Sequence, residues 1–386
     1  MMKNTLKLFS IIFLTGCQTL GLINEDPRAP TALNGDYDEF ASQAWSREVV
    51  TPIITYQFFG DNIQPSKFFD ISGSGVYLVG DEAVEMINID SGDLMTSLNI
   101  ENEKVMSGVT VAYNTYLYSD IEGKLYLHNL NNGDLKWKND LKDLVISKAL
   151  ITPLHVYVQT SSDVLYAFDF QTGEIAWSKN AQAPLLSIRG TSNPVFYEGL
   201  IFATFSNGRL AAIRAEDGIQ LWEKPISRIK GSTELEKLMD ADSPAIAFDE
   251  FVYAANYNGS LTRFNIRGGE KLFSVDLSTT KPIKQFRDMV LAVNVDDEII
   301  AFDALNGTEK WRNSSFKFRK ISELIFIGNN IYFGDLEGYL HKLNAQTGET
   351  IGQQATELEE IVQIEARSGR LIAQDSSGSL SAFDLN

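Results

Sequence analysis

The chain has 386 residues, of which 44% are hydrophobic and 22% charged, and its formal net charge is −18 at pH 7. This composition is typical of a globular protein with a large core, and the acidic balance argues against nucleic-acid binding, which needs a basic surface. The single cysteine, Cys17, excludes an internal disulfide and a cysteine-based metal site in the folded body. With only 3 scattered histidines besides, we expect no metal site and no cofactor.

Residues 1–16 are typical of an export signal. A basic start is followed by the apolar run Leu8–Leu14, which is too short to span a bilayer as a helix. The run leads into Leu14-Thr-Gly-Cys17, which resembles the lipobox of bacterial lipoproteins. That resemblance implies cleavage before Cys17 and attachment of lipid to its thiol.

The residue after the lipobox cysteine is Gln18. Aspartate at this position usually retains such lipoproteins at the inner membrane, so Gln18 implies the outer membrane, facing the periplasm. The polar, proline-containing stretch that follows predicts a lipidated tether over residues 17–40. The folded domain is then predicted to cover residues 41–386.

From about residue 70 a unit of roughly forty residues recurs, which is the signature of propeller blades. Short strands flank turns, and most copies end in Asp or Asn, three residues, a glycine, three residues and an aromatic residue. The aromatic residue is absent at Thr96 and Gly352. We expect each closing glycine to adopt positive φ and each aromatic ring to pack between neighbouring blades. The closing glycines, spaced 38–51 residues apart, are Gly92, Gly133, Gly173, Gly218, Gly269, Gly307 and Gly348.

The N-terminal part of the chain contains the element that the last repeat lacks. The eighth copy begins near Leu371 and reaches Asp384, but it lacks an outer strand and its tryptophan. An isolated tryptophan, Trp45, lies before the first copy. We therefore predict an all-β, eight-bladed β-propeller of four-stranded antiparallel blades, whose last blade is closed by an N-terminal strand. A solenoid with open ends is the alternative.

Two segments between blades depart from the repeat, and such departures often carry function. The first is Ala183–Ser192, which places apolar residues and an arginine beside proline and glycine. The second contains Thr233–Glu236, a capping-box pattern that predicts a short helix to about Met239, and ends in Asp240-Ala-Asp242. The structural alternatives are an ordinary strand start and a helix-ending acidic turn.

These segments and others resemble the BamB family, the propeller lipoproteins of the outer-membrane β-barrel assembly machinery. The resemblance extends over the whole chain. The stretches that carry it, besides the lipobox and the blades, are Leu186-Ser-Ile-Arg-Gly190, Gly231-Ser-Thr-Glu234, Asp240-Ala-Asp242, Asn256-Tyr-Asn-Gly259 and Gly334–His341.

The resemblance implies a non-enzymatic scaffold that docks on a periplasmic POTRA domain of BamA. Carried over by position, the contact residues are Leu186, Ile188, Arg189, Asp240 and Asp242. We expect the two aliphatic side chains to form an exposed apolar centre with a charged rim. Arg189 could pair with either aspartate or with the partner. Unfolded β-barrel clients could also add strands to blade edges.

Two other functions remain as alternatives. The repeat also resembles the propellers of pyrroloquinoline-quinone dehydrogenases, but those enzymes are much longer and typically contain a vicinal disulfide, which a chain with one cysteine cannot form. A generic periplasmic ligand-binding propeller is the second alternative. Asp296-Asp297 and Asp375–Gly378 could suggest calcium, but both coincide with turns of the repeat, so we interpret them as solvated turns.

Overall fold

The structure is a computed structural model that describes residues 26–48, 56–58, 61–63, 69–79, 83–101, 105–181, 192–228 and 240–386. All regular secondary structure in these ranges is β-strand. A helix long and apolar enough to cross a membrane is absent from the described segments. Cys17 and the signal segment lie outside the described residues.

The described residues form eight four-stranded antiparallel sheets, which are the blades of a ring, and one two-stranded hairpin. In blades one to seven, four consecutive strands run from A at the ring axis to D at the outside. Before the first blade lie β1 (Ala41–Arg47) and the hairpin strands β2 (Tyr56–Phe58) and β3 (Asp61–Ile63). The repeat pattern did not predict this hairpin.

The blades follow in chain order. Blade one comprises β4 (Phe69–Ser72), β5 (Gly75–Val79), β6 (Ala83–Asn88) and β7 (Leu94–Asn99). Blade two comprises β8 (Thr110–Ala112), β9 (Thr115–Ser119), β10 (Lys124–Asn129) and β11 (Leu135–Asp140). Blade three comprises β12 (Leu150–Ile151), β13 (His155–Gln159), β14 (Val164–Asp169) and β15 (Ile175–Asn180). Blade four comprises β16 (Val195–Tyr197), β17 (Leu200–Phe205), β18 (Arg209–Arg214) and β19 (Gln220–Pro225).

The second half of the ring repeats this arrangement. Blade five comprises β20 (Ile246–Phe248), β21 (Phe251–Ala255), β22 (Gly259–Asn265) and β23 (Lys271–Leu277). Blade six comprises β24 (Lys284–Phe286), β25 (Met289–Val293), β26 (Ile299–Asp303) and β27 (Glu309–Asn313). Blade seven comprises β28 (Ile325–Ile327), β29 (Asn330–Gly334), β30 (Tyr339–Asn344) and β31 (Thr350–Ala355). Blade eight contains β32 (Ile361–Arg367), β33 (Arg370–Asp375) and β34 (Leu380–Leu385).

Blade eight takes its fourth strand from the N-terminal part of the chain. β1 pairs antiparallel with β34, and Trp45 lies opposite Ala382. The Trp45 indole packs on Gly92 of blade one and donates its Nε1–H to the Ile89 carbonyl at 3.0 Å. The predicted closure of the ring by the strand that bears Trp45 is therefore confirmed.

The predicted contacts between blades are confirmed by the turns that join strands C and D. All seven closing glycines have φ between +68° and +77°, where a side chain would be strained. The Trp137 ring of blade two covers Gly173 of blade three, where an added Cβ would lie 2.5 Å from the ring. Trp177 and Trp222 cover Gly218 and Gly269 of the next blades in the same way. The rest of the core also lies between blades, as where Leu127 packs with Val156.

The seam between blades one and two is built differently, because the exposed Thr96 stands where other blades have an aromatic residue. A column of stacked rings from blade two fills this seam. Tyr116 and His128 stack at 4.8 Å between ring centroids, and Tyr118 and Tyr126 stack at 5.0 Å. Burial keeps His128 neutral by lowering its pKa. Aromatic side chains on the inner strands of blade two thus take the place of the tryptophan that the outer strand of blade one lacks.

The two acidic turns are turns as predicted; within them Asp297 and Asp375 are buried, whereas Asp296 is partly exposed and Ser377 is exposed. Asp297 is 7% exposed, and its Oδ1 accepts a hydrogen bond from Lys281 Nζ at 2.5 Å. The other oxygen accepts the Lys320 amide at 2.7 Å. Asp375 is 2% exposed and accepts amides of its own turn, including that of Ser379 at 2.9 Å. These carboxylates serve as internal hydrogen-bond acceptors, because the links between blades fold over the turns.

Candidate partner-binding site

The two departures from the repeat flank blade four on the same end of the ring. Each connects strand D of one blade to strand A of the next, and this end also carries the turns between strands B and C. Leu186, Ile188 and Arg189 lie outside the described residues, as does the predicted helix at residues 233–239. Asp240 and Asp242 are described, together with the residues at which each segment enters and leaves the fold.

The base of the second segment is fixed in the core between blades four and five. Ile226, Ala241 and Ala245 are at most 3% exposed and pack in one cluster with Trp222. The Asp240 carbonyl oxygen accepts the Tyr257 amide at 2.8 Å. Residues 229–239 are therefore carried between two firmly held ends.

The ends of the first segment are held as well. The Ala181 amide donates to the Asp163 carbonyl at 3.0 Å. Ser192 is 2% exposed, and Asn193 Oδ1 accepts the Lys148 amide of blade three at 2.7 Å. The described ends of both segments are thus held by hydrogen bonds or by burial in the core.

Asp163 lies close to the base of each segment. It occupies the B–C turn of blade three with φ +60°, as Asp297 does in blade six with φ +62°, whereas blades two, four, seven and eight have a glycine at positive φ in this turn. Its backbone holds the first segment through Ala181, while its carboxylate accepts hydrogen bonds from the amide and hydroxyl of Ser206 in blade four. The same carboxylate repels the negative charge of Asp242 at the base of the second segment. Sequence reasoning missed this role of Asp163, because an aspartate in this turn also occurs in blade six, at Asp297.

The expectation of a charged rim is wrong for Asp240, which is fully buried. Asp242 is partly exposed, and burial together with the nearby Asp163 carboxylate raises its pKa to about 7. Burial also raises the pKa of Asp163, against the opposing effect of the Ser206 hydrogen bonds. Asp240 therefore does not present its charge at the surface, and Asp242 does so only in part.

The raised pKa of Asp242 makes stability depend on pH. An unfolded aspartate has a pKa near ~4, so the folded chain retains this extra proton between about pH 4 and 7. The contribution of Asp242 to stability therefore falls as the pH rises through that window. We expect Asp242→Asn to raise the melting temperature, relative to the native chain, more at pH 8 than at pH 5.

Thermal melts at the two pH values test this expectation. Asp134→Asn, on an exposed turn of blade two, is the matched control and should give the same small difference at both. An Asp242→Asn effect that does not change with pH would show that this carboxyl group is already ionised throughout.

Fold and seams together define the chain as an eight-bladed propeller of PQQ-like repeats. The family described as "Outer membrane protein assembly factor BamB" matches residues 80–285 and 272–385. The chain belongs to the BamB family.

Individual proteins agree with this assignment. The chain is 26% identical over 382 residues to outer membrane protein assembly factor BamB of Yersinia pestis, covering 97% of each chain. The crystal structure of BamB from Moraxella catarrhalis superposes with a TM-score of 0.77 at 24% identity, over 89% of this chain and all of that one. A europium-containing methanol dehydrogenase reaches 0.67 at 12% identity, over 89% of this chain and 93% of that one, which reflects a shared fold alone.

Proposed function

We propose that this protein is a non-enzymatic scaffold of the outer-membrane β-barrel assembly complex. It is anchored in the outer membrane by lipid on Cys17, faces the periplasm, and docks on a POTRA domain of BamA. The observation that carries this proposal is the family match, which spans seven of the eight blades and part of blade one. The relatives it resembles are named as assembly factors and not as enzymes.

We assign the docking surface to the two segments that flank blade four. Support comes from the described ends of the two segments, which lie on either side of blade four, and from Asp163 close to both: its carbonyl accepts the Ala181 amide, and its carboxylate helps to raise the pKa of Asp242. Leu186, Ile188 and Arg189 are proposed as the direct contacts. Asp240 and Asp242 are proposed as positioning residues and not as direct contacts, in keeping with the burial of Asp240.

Affinity purification of the tagged full chain from detergent-solubilised membranes tests the function. We expect BamA to co-elute with the native chain, and Leu186→Ala combined with Ile188→Ala to reduce the co-eluting BamA at least tenfold. The matched control is Leu305→Ala, because Leu305 is the most exposed large apolar side chain described, at 71%, and lies in a turn of blade six.

The outcomes separate the two parts of the proposal. Absence of BamA from the native eluate would refute the scaffold function. If BamA binds the native chain and the double variant equally well, the function stands and the docking surface lies elsewhere. Addition of client strands to blade edges stays a separate hypothesis, based on the ability of exposed sheet edges to pair with an extended chain.

A further inference from the structure

The N-terminal segment before β1 lies against blade seven rather than away from the ring. The Thr31 amide donates to the Lys317 carbonyl at 3.0 Å, and Thr31 in turn accepts Arg319 Nη1 at 2.8 Å. Leu33 packs against the core cluster between blades six and seven. The segment Thr31–Ala41 therefore belongs to the folded body, although its sequence reads as part of a tether.

The segment ends in a buried aromatic ring, that of Phe40, which is 5% exposed. Its amide donates to Gln354 Oε1 at 3.2 Å, and its carbonyl accepts the Asn386 amide at 3.0 Å. The ring lies 5.9 Å from that of Tyr332 and packs in the cluster between blades seven and eight. Phe40 is thus held by the outer strand of blade seven and by the C-terminal end of blade eight.

The position under this ring is Gly352, one of the two sites at which the repeat lacks its aromatic residue. A Cβ added to Gly352 would lie 2.6 Å from Phe40 Cδ1. The glycine has no positive φ, so its backbone conformation does not require the absence of a side chain. The space that an aromatic residue of β31 would take is occupied by Phe40, which lies more than 300 residues earlier in the chain.

Other seams show what such a ring contributes. Trp137, Trp177 and Trp222 each pack on the next blade and donate Nε1–H to one of its carbonyl oxygens, at 2.8–3.2 Å. In blade eight the outer strand next to β34 is β1, which comes from the N-terminal side, so these two strands are not joined by the C–D turn on which a ring of blade seven would pack. Phe40 reaches this seam from the same N-terminal side.

We propose that Thr31–Ala41 is a strap that locks blade seven to blade eight, with Phe40 replacing the missing aromatic residue of position 352. The propeller is then closed by two contacts: β1 pairs with β34 within blade eight, and Phe40 packs in the seam between blades seven and eight. If Cys17 carries lipid, as the proposed function holds, the stretch between the lipid and the strap ends before Thr31. Its fourteen residues from Cys17 would then reach at most about 50 Å.

A double-mutant cycle on the full chain tests the strap. We expect Phe40→Ala to lower the melting temperature by roughly 5–10 °C, since it empties a buried aromatic site. Gly352→Trp should also lower it in the native background, because the new side chain collides with Phe40. In the Phe40→Ala background, the same Gly352→Trp change should cost much less or restore stability, because the space is free.

Hydrogen exchange locates the effect. Phe40→Ala should speed exchange in residues 350–367 and leave residues 150–180 unchanged, while Glu39→Ala, on the exposed neighbour, should alter neither. Two results would overturn the strap: a Phe40→Ala chain that melts within about 1 °C of the native chain, or a Gly352→Trp loss of equal size in both backgrounds.

Discussion

Trp177→Ala should lower the free energy of unfolding by about 3–5 kcal/mol, the range found when a buried tryptophan is truncated. The Trp177 ring is 8% exposed and lies 5.7 Å from that of Tyr157. It covers Gly218 of blade four and donates to the Ala215 carbonyl at 3.0 Å. The substitution would leave a cavity at the seam and deprive that buried carbonyl of one donor.

Denaturant unfolding measures this change when it is followed by the circular dichroism of the backbone, a signal that does not rely on the removed tryptophan. Ile175→Ala is the matched control, since Ile175 lies on the same strand but is 53% exposed, and it should stay within about 0.5 kcal/mol of the native chain. Equal losses in the two variants would mean that the outer-strand tryptophans do not hold the blades together.

Arg319→Met should be comparably damaging, with an expected loss of about 3–5 kcal/mol, because it leaves a buried carboxylate without its cation. Arg319 is 1% exposed, and its Nε donates to Asp335 Oδ2 at 2.8 Å. That same oxygen is 2.8 Å from His341 Nε2, and both Asp335 and His341 are fully buried. The guanidinium also binds Glu337 and, through Thr31, the strap.

Urea titrations of single and double variants measure this network. Arg319→Met combined with Asp335→Asn should be more stable than Arg319→Met alone, because the unpaired charge is removed while Oδ1 can still accept the turn amides. Lys320→Met is the control: its exposed pair with Glu360 should contribute at most about 1 kcal/mol. A double variant less stable than the single one would contradict the charge argument.

The Arg319 network also predicts how the stability of the folded chain depends on pH. Burial, with a smaller contribution from Arg319, lowers the pKa of His341 below its ordinary value of 6.5. The folded native chain therefore binds this proton less readily than the unfolded chain, and acidification through that region destabilises it. Without Arg319 the pKa of His341 should rise. The loss of unfolding free energy caused by Arg319→Met should therefore become smaller as the pH falls.

The proposed docking segments could be found from the sequence only in part. The departures from the repeat indicated residues 183–192 and 233–242, because a break in a regular pattern is visible without coordinates. Burial could not be predicted from the sequence: Asp240 has the residue type of a surface acid, yet it is fully buried. The role of Asp163 could not be predicted either, because it depends on the proximity of its carboxylate to Asp242, which lies 79 residues later in the chain.

The sequence by itself determined the number of blades, their turns and the closure by the Trp45 strand. Each of these follows from local chemistry at fixed spacing: an aspartate or asparagine that accepts turn amides, a glycine at positive φ, and an aromatic residue four positions later. Only the tertiary structure decided how the irregular seams are filled. The presence of Thr96 and Gly352 in the sequence shows that an aromatic residue is missing at each of these positions. It does not show that Tyr116 and its neighbours fill the first seam, or that Phe40 fills the second. Contacts between residues some 300 positions apart depend on the closed ring and leave no periodic trace in the chain.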